Sequence, residues 1–322
     1  MAFPGQAPPI SRRFQNAVRV EGSKGKCSRF GGFRGRSCFD TSARTVEGFQ
    51  PVDMCLLLIA IDATPEFPLL LLGNRDEFHA RASTPVQAWT EDARVVGGRD
   101  LVAGGSWLAL REDGRFAAIT NVRTGVPATA PRSRGWLVRD FMLGDAQPAA
   151  FLDALRSDPS DYGPFNLVVG DRTGVCTLGS ADRDVCWLRA GVHVISNGPI
   201  GVHWPKTERL RRRFVETSAA GLGADAETRL LDLLVDEAQP LDESLPDTGM
   251  GLDLERRLAP IFIRGEKYGT RAGTLAEGLA DGSWVMRERR FGPNGSSAGE
   301  TRWQALPRRG FTTSISLPSR SR

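Results

Sequence analysis

Met54-Cys55-Leu56-Leu57-Leu58-Ile59-Ala60-Ile61 is followed by a turn punctuated by Pro65 and Pro68 and then by a second apolar run, Leu69-Leu70-Leu71-Leu72. Two short apolar runs joined through prolines read as a β-hairpin. The aliphatic run 56–61 is the longest in the chain and falls far short of the roughly 20 residues that cross a bilayer. Further strands are expected at 95–97, 106–110, 116–121, 166–170, 175–178 and 193–196, each bounded by Gly, Asp or Asn. Helices are expected at 136–143, 149–156, 206–219, 227–237 and 252–262, several with apolar residues three and four apart and a Gly just past the end. With strands returning at 268–291, the pattern is that of an α+β domain with helices packed on sheet faces.

The rest of the composition bounds the chain. Of 322 residues, 40% are hydrophobic and 25% charged, which excludes a disordered, collagen-like or disulfide-scaffold protein. Residues 1–53 hold nine of the 42 basic groups and four of the 38 acidic ones, so the body of the chain is about neutral and no nucleic-acid partner is expected. That leader lacks apolar periodicity and reads as a disordered extension ahead of a mis-assigned start, or else as a transit peptide. The domain proper is expected at 54–293, with 294–322 as a loose tail. Five cysteines without a CxxC pair suit a reducing compartment. The expected location is the cytoplasm, or the mitochondrion if 1–53 is a transit peptide.

Cys55 reads either as a small buried strand residue or as a nucleophile. The second reading gains from Met54, because an initiator Met before a small side chain is removed. Cys55 would then carry a free α-amine, with a pKa near 8, as a base beside its own thiol. Asn74-Arg75-Asp76-Glu77 ends the second strand. It is either a solvated turn or a charged group in which Arg75 meets a carboxylate or thiolate and Asp76 orients the amine. Gly97–Trp107 contains Gly98, Gly104 and Gly105 but lacks the Lys-Ser/Thr ending of a phosphate loop, so nucleotide binding is rejected. Gly104 and Gly105 are expected to serve positive φ. Asn121, Asn166 and Asn197 at strand ends are either turn residues or oxyanion donors. His79, His193 and His203 show no zinc spacing, so no metal is expected, although one His or Cys would suffice as an axial haem ligand.

These motifs occur in an order that resembles the NRDE family, also called the transport and Golgi organisation protein 2 family. The residues that carry the likeness are Met54-Cys55, Asn74-Arg75-Asp76-Glu77-Phe78, Gly98-Arg99-Asp100-Leu101, Gly104-Gly105-Ser106-Trp107-Leu108, Thr120-Asn121-Val122-Arg123, Ser196-Asn197-Gly198-Pro199, Trp204-Pro205-Lys206 and Tyr268-Gly269-Thr270-Arg271 with Thr274. The family resembles the N-terminal nucleophile hydrolases, which implies a four-layer sandwich of helices, two antiparallel sheets and helices. By that analogy Cys55 is the nucleophile, and Arg75 and Asp76 are the pair that surrounds it. Asn121 and Asn197 match the oxyanion and amine-orienting asparagines, and Arg271 closes the site. Cys55, Arg75, Asp76, Asn197 and Arg271 are thus expected to converge on one pocket. The Cys55-to-Arg75 spacing is a few residues longer than in the bile-salt and penicillin V acylases.

The leading expectation, from family roles, is intracellular haem trafficking or hydrophobic-ligand handling on a hydrolase-like fold, with haem as cargo and no required cofactor. The alternative, from the residues, is a cysteine amidohydrolase acting on the C–N bond of a small amide or acyl compound. Translation is expected to begin at Met54 and the mature chain at Cys55. The intact mass of the product of the native gene checks this, and peptides from upstream of Met54 at full stoichiometry would refute it.

Overall fold

The computed structural model describes residues 54–125, 130–157, 161–306 and 310–317, with the backbone alone at Met54 and 310–317. The expected leader, 1–53, lies outside the described residues. Strands come first in the chain: β1 (Met54–Ile61), β2 (Leu69–Phe78), β3 (Gln87–Ala88), β4 (Val95–Gly97), β5 (Leu108–Arg111) and β6 (Phe116–Asn121). Helices α1 (Gly135–Leu143) and α2 (Pro148–Arg156) precede β7 (Phe165–Asp171), β8 (Gly174–Gly179), β9 (Val185–Trp187) and β10 (Gly191–Ile195). Helices α3 (Pro205–Ala219), α4 (Ala226–Asp232) and α5 (Leu252–Leu258) then lead to β11 (Tyr268–Gly278), β12 (Trp284–Phe291), β13 (Ser297–Leu306) and β14 (Gly310–Leu317).

Among the described residues the strands make two seven-stranded sheets, in the orders β10-β1-β2-β11-β12-β13-β14 and β3-β4-β5-β6-β7-β8-β9. All named strand pairs are antiparallel. Alternation along β1 and β2 sends side chains into two different cores. Leu56, Leu58, Leu70 and Leu72 pack under the first sheet against Leu210 and Phe214 of α3 and Leu230 and Leu231 of α4. Leu57, Ile59 and Leu71 face the second sheet, where they meet Val96, Leu108, Leu110, Phe116 and Val168. The outer face of the second sheet is covered by Leu137 and Phe141 of α1 and Leu152 of α2. The layering is therefore helix, sheet, sheet, helix, the order that the family resemblance implied. A strand buried on both faces is apolar without alternation, and each fully buried Leu contributes roughly 1.5–3 kcal/mol.

Three expectations need correction. The segment expected as a loose tail supplies β13 and β14. Its apparent onset at Pro293-Asn294-Gly295 is a turn, with φ of 55° at Asn294 and 71° at Gly295, that hands the chain from β12 to β13. There Thr301 and Ala305 are buried and the Trp303 indole donates to the Val86 carbonyl at 3.2 Å. The fifth helix stops at Leu258 rather than 262: Ala259 still has helical backbone, but Pro260 has no N–H with which to continue the ladder to the Arg256 carbonyl. The fourth ends at Asp232 rather than 237. Beyond it the bonds tighten to three-residue turns at Leu233 and Leu234, and the Asp236 carboxylate is held by Arg209 and Arg213 of α3. Among the described residues no helix is long and apolar enough to cross a membrane.

Candidate active site

The aligned ends of β1, β2 and β11 set the site. Register places Cys55 opposite Arg75 and Met54 opposite Asp76. Across the other edge of β2, Asp76 faces Thr270, and a bulge at Arg271 brings Ala272 opposite Arg75. Because neighbours on a strand point to opposite faces, Cys55, Arg75 and Glu77 lie between the sheets with Leu57 and Leu71, whereas Asn74 and Asp76 lie on the helix side with Leu56 and Leu72. Arg75 and Asp76 are therefore separated by the sheet itself. The single pocket expected for the five residues is instead a strand end flanked by groups on both faces.

Between the sheets, the Arg75 guanidinium lies over the Trp107 ring, 4.3 Å from its centroid, and 3.7 Å from the Glu77 carboxylate. Trp107 reaches this position because residue 98 is glycine: a Cβ there would stand 2.2 Å from the indole. Gly105 serves close packing as well, since its Cβ would meet the Gly135 carbonyl carbon at 2.4 Å, whereas Gly104 has the expected positive φ of 73°. Arg81 joins Asp100, at 2.7 and 2.9 Å, to Glu77 at 3.5 Å. Arg271 donates to the carbonyls of Phe78 and Arg81. Burial, and secondly the nearby Arg75 charge, hold the Arg271 guanidinium below its ordinary pKa.

On the helix side, the Thr270 hydroxyl donates to Asp76 Oδ1 at 2.5 Å, and Asp76 Oδ2 has no hydrogen-bond partner although the residue is 1% exposed. Burial pushes the Asp76 carboxyl up to about 6 against the pull of Lys206, the Thr270 bond and Arg75. Lys206 sits in the first turn of α3, behind Pro205 at the position where a missing N–H costs nothing. Thr207 closes that turn, accepting from the Trp204 amide at 3.0 Å. Lys206 is 3% exposed and donates to the Leu258 carbonyl at 3.3 Å. Burial first, and then Arg123, lower its ammonium to about 8, while Asp76, Cys55 and Glu255 oppose that shift. Arg123, stacked 4.9 Å from the Trp204 ring, forms a buried ion pair with Glu255.

Asn197 is fully buried and donates to the Asn121 carbonyl at 2.9 Å, tying the end of β10 in one sheet to the end of β6 in the other. Ser196 donates to the Cys55 carbonyl at 3.3 Å, and Asn166 holds the Ser196 and Gly198 carbonyls. The asparagines thus brace the strand ends beside Cys55. Of the histidines, His79 has its pKa lowered by burial and then by Arg271, His193 contacts the Arg189 carbonyl at 2.8 Å, and His203 pairs with Glu208 at 2.7 Å. Among the described residues no cluster of three or more His, Cys, Asp or Glu could hold a metal.

A model of the Transport and Golgi organisation 2 family matches residues 54–293, the span that carries every group described above. The chain belongs to this family. The human Transport and Golgi organization protein 2 homolog is 29% identical over 268 residues, covering 77% of this chain and 97% of the relative. The mouse homolog is 28% identical over 267 residues, covering 77% and 97%. Solved structures similar in part are a Caenorhabditis elegans ortholog of N-acylethanolamine-hydrolyzing acid amidase (13% identity, TM-score 0.44, covering 71% of this chain and 95% of that one) and the C2A mutant of conjugated bile acid hydrolase from Clostridium perfringens (10%, TM-score 0.40, covering 82% and 92%). At these scores they add nothing to what the sheets and helices already establish.

In this family member, Thr270, Lys206, Arg123, Glu255 and Trp107 belong to the site although sequence reasoning placed none of them there. One signal was present for Lys206: past residue 53 the chain has only Lys206 and Lys267, among many arginines. Removing one partner of a buried pair strands the other charge. Glu255→Gln is therefore expected to lower stability by about 3–5 kcal/mol in urea unfolding, whereas Arg94→Ala, which breaks the solvent-exposed pair with Asp92, should leave the unfolding midpoint nearly unchanged. Equal effects from the two substitutions would contradict the burial of the Arg123–Glu255 pair.

Proposed function

We propose that the chain is a cysteine amidohydrolase acting on a small amide or acyl compound, with Cys55 as the nucleophile. The observation that carries this reading is the pairing of Cys55 with Arg75 and of Met54 with Asp76 at one strand end. In a chain that begins at Cys55, the α-amine replaces the peptide link to Met54 and so lies beside Asp76. It takes the thiol proton as the sulfur attacks the substrate carbonyl, forming a C–S bond. The C–N bond then breaks and the amine departs with that proton. Water hydrolyses the thioester, which releases the acid and restores the thiol.

Arg75 and Arg271 contribute positive charge between the sheets, where a carbonyl oxygen becomes negative. Asn121, braced by Asn197, stands at the adjoining end of β6. A carrier that holds haem or another hydrophobic ligand by shape has no use for charges buried at a strand end, and such charges are costly as scaffold. Functional sites are where they are retained.

The test is a panel of acyl amides offered to protein beginning at Cys55, with haem titration run in parallel. Cys55→Ser is expected to keep the fold and lose turnover by more than about a hundredfold, because a hydroxyl is much the poorer nucleophile. Saturable one-to-one haem binding with a Soret band, together with no hydrolysis of any amide, would overturn the proposal in favour of carriage.

A further inference from the structure

Glu277 is a buried acid at the far end of the first sheet from Cys55. It lies next to the last residue of β11, opposite Leu70 on β2 and Val285 on β12. Leu275, two residues before it, packs against the helices, so strand alternation turns Glu277 to that same side. The residue is 3% exposed, and its Oε2 has no hydrogen-bond partner.

The charged groups that face it from the neighbouring elements are already engaged with one another. Arg302 on β13 donates to both oxygens of Glu227 on α4, at 2.8 to 3.1 Å. Arg287 on β12 donates to Glu300 on β13 at 2.7 Å and to the Thr228 hydroxyl at 3.1 Å. Arg289 takes the other Glu300 oxygen at 2.7 Å and pairs with Asp232 of α4. The guanidiniums of Arg287, Arg289 and Arg302 are thus matched by the carboxylates of Glu227, Asp232 and Glu300, and Glu277 is left over. Glu277, Glu227, Arg287 and Arg302 line one cavity of about 470 Å³, and exposed Asp225, just ahead of α4, adds a further acid to its wall.

A carboxyl buried without a partner costs free energy that an apolar side chain in its place would not. The space beside it is far more than the roughly 10–15 Å³ that one water needs. With one unclaimed buried carboxyl, the cavity suits a single positive charge. A divalent metal is not matched, since no group of three His, Cys, Asp or Glu among the described residues could hold one. Ala224 and Ala226 give the same cavity an apolar wall for a short carbon chain.

We propose that this cavity binds a small primary amine in its ammonium form, with the Glu277 carboxylate as counter-ion. The site is separate from the strand end of Cys55, and the proposal does not depend on the hydrolase reading. Without ligand, burial first and then the Glu227 charge push the Glu277 carboxyl up to about 8, against the pull of Arg302 and Arg287, so it is protonated at neutral pH. An ammonium needs the carboxylate. Binding therefore releases the Glu277 proton to solvent, and affinity rises with pH until that carboxyl is ionised without ligand.

The experiment titrates the full chain with n-butylamine by calorimetry at about pH 6, 7 and 8, in two buffers of different ionisation heat, with n-butanol as the uncharged control. Saturable one-to-one binding is expected, with about one proton released per amine at neutral pH and an affinity about tenfold tighter at pH 7 than at pH 6. Glu277→Gln, which has the shape of the neutral acid, should fold and lose at least about tenfold in affinity. n-Butanol should bind far more weakly than the amine. Equal binding of the alcohol would make the cavity merely apolar, and undiminished amine binding to Glu277→Gln would put the amine elsewhere, for instance at Cys55; either result overturns the proposal. If Glu277→Gln does not fold, wild type decides alone: no saturable amine binding at any of these pH values, or binding without proton release at neutral pH, is the refuting result.

Discussion

The pairing of β1 with β2 is the constraint on which the rest of the molecule depends. Both strands are covered on both faces, by α3 and α4 beneath and by the second sheet above. A slip of one residue would exchange every side chain between two cores of different shape, so the register is held by the whole length of the hairpin. That same register carries the polar ends of the strands with it. Cys55 must meet Arg75, Met54 must meet Asp76, and Asp76 must meet Thr270, whatever the cost of placing these groups there. The apolar length of the hairpin thus positions the chemistry at its end.

Around that end the charges are arranged to be tolerable rather than absent. Asp76, Lys206, Arg123 and Glu255 are all buried, two acidic side chains set among two basic ones. Each has aromatic or hydrogen-bonding support: Trp204 under Arg123 and Lys206, Thr270 on Asp76, Thr248 on Glu255. Between the sheets Arg75 rests on Trp107, which is admitted by Gly98. A group of this kind is poor scaffolding, since well-packed apolar residues commonly do better in the same space. The opposing shifts of Asp76, upward through burial, and Lys206, downward through burial, leave both near their titration range at neutral pH.

Much of the architecture is legible in the sequence because it rests on local signals. The hairpin follows from two apolar runs around Pro65 and Pro68, and the central strands follow from their Gly, Asp and Asn boundaries. What was illegible involves distance in the chain. Asn294-Gly295 is equally good chemistry for a tail and for a turn, and only the burial of Thr301 and Ala305 decides for the turn. Asp76 reads as Arg75's neighbour in sequence, yet strand alternation puts the two on opposite faces. Lys206 carries no mark of burial in its own helix, whose other charges are mostly solvated. Its inward position comes from the Pro205 start and from contacts with Leu258, more than fifty residues away.

The central claim is that Cys55 forms a covalent bond to an acyl group. It is tested most directly by exposing protein from the native gene to an activated acyl ester, quenching in acid, and locating the added mass by peptide mapping. The expected result is a single acyl group on Cys55, removed by neutral hydroxylamine as a thioester should be, and absent from Cys55→Ser. No adduct, or one that falls instead on Cys176 or Cys186, would contradict it.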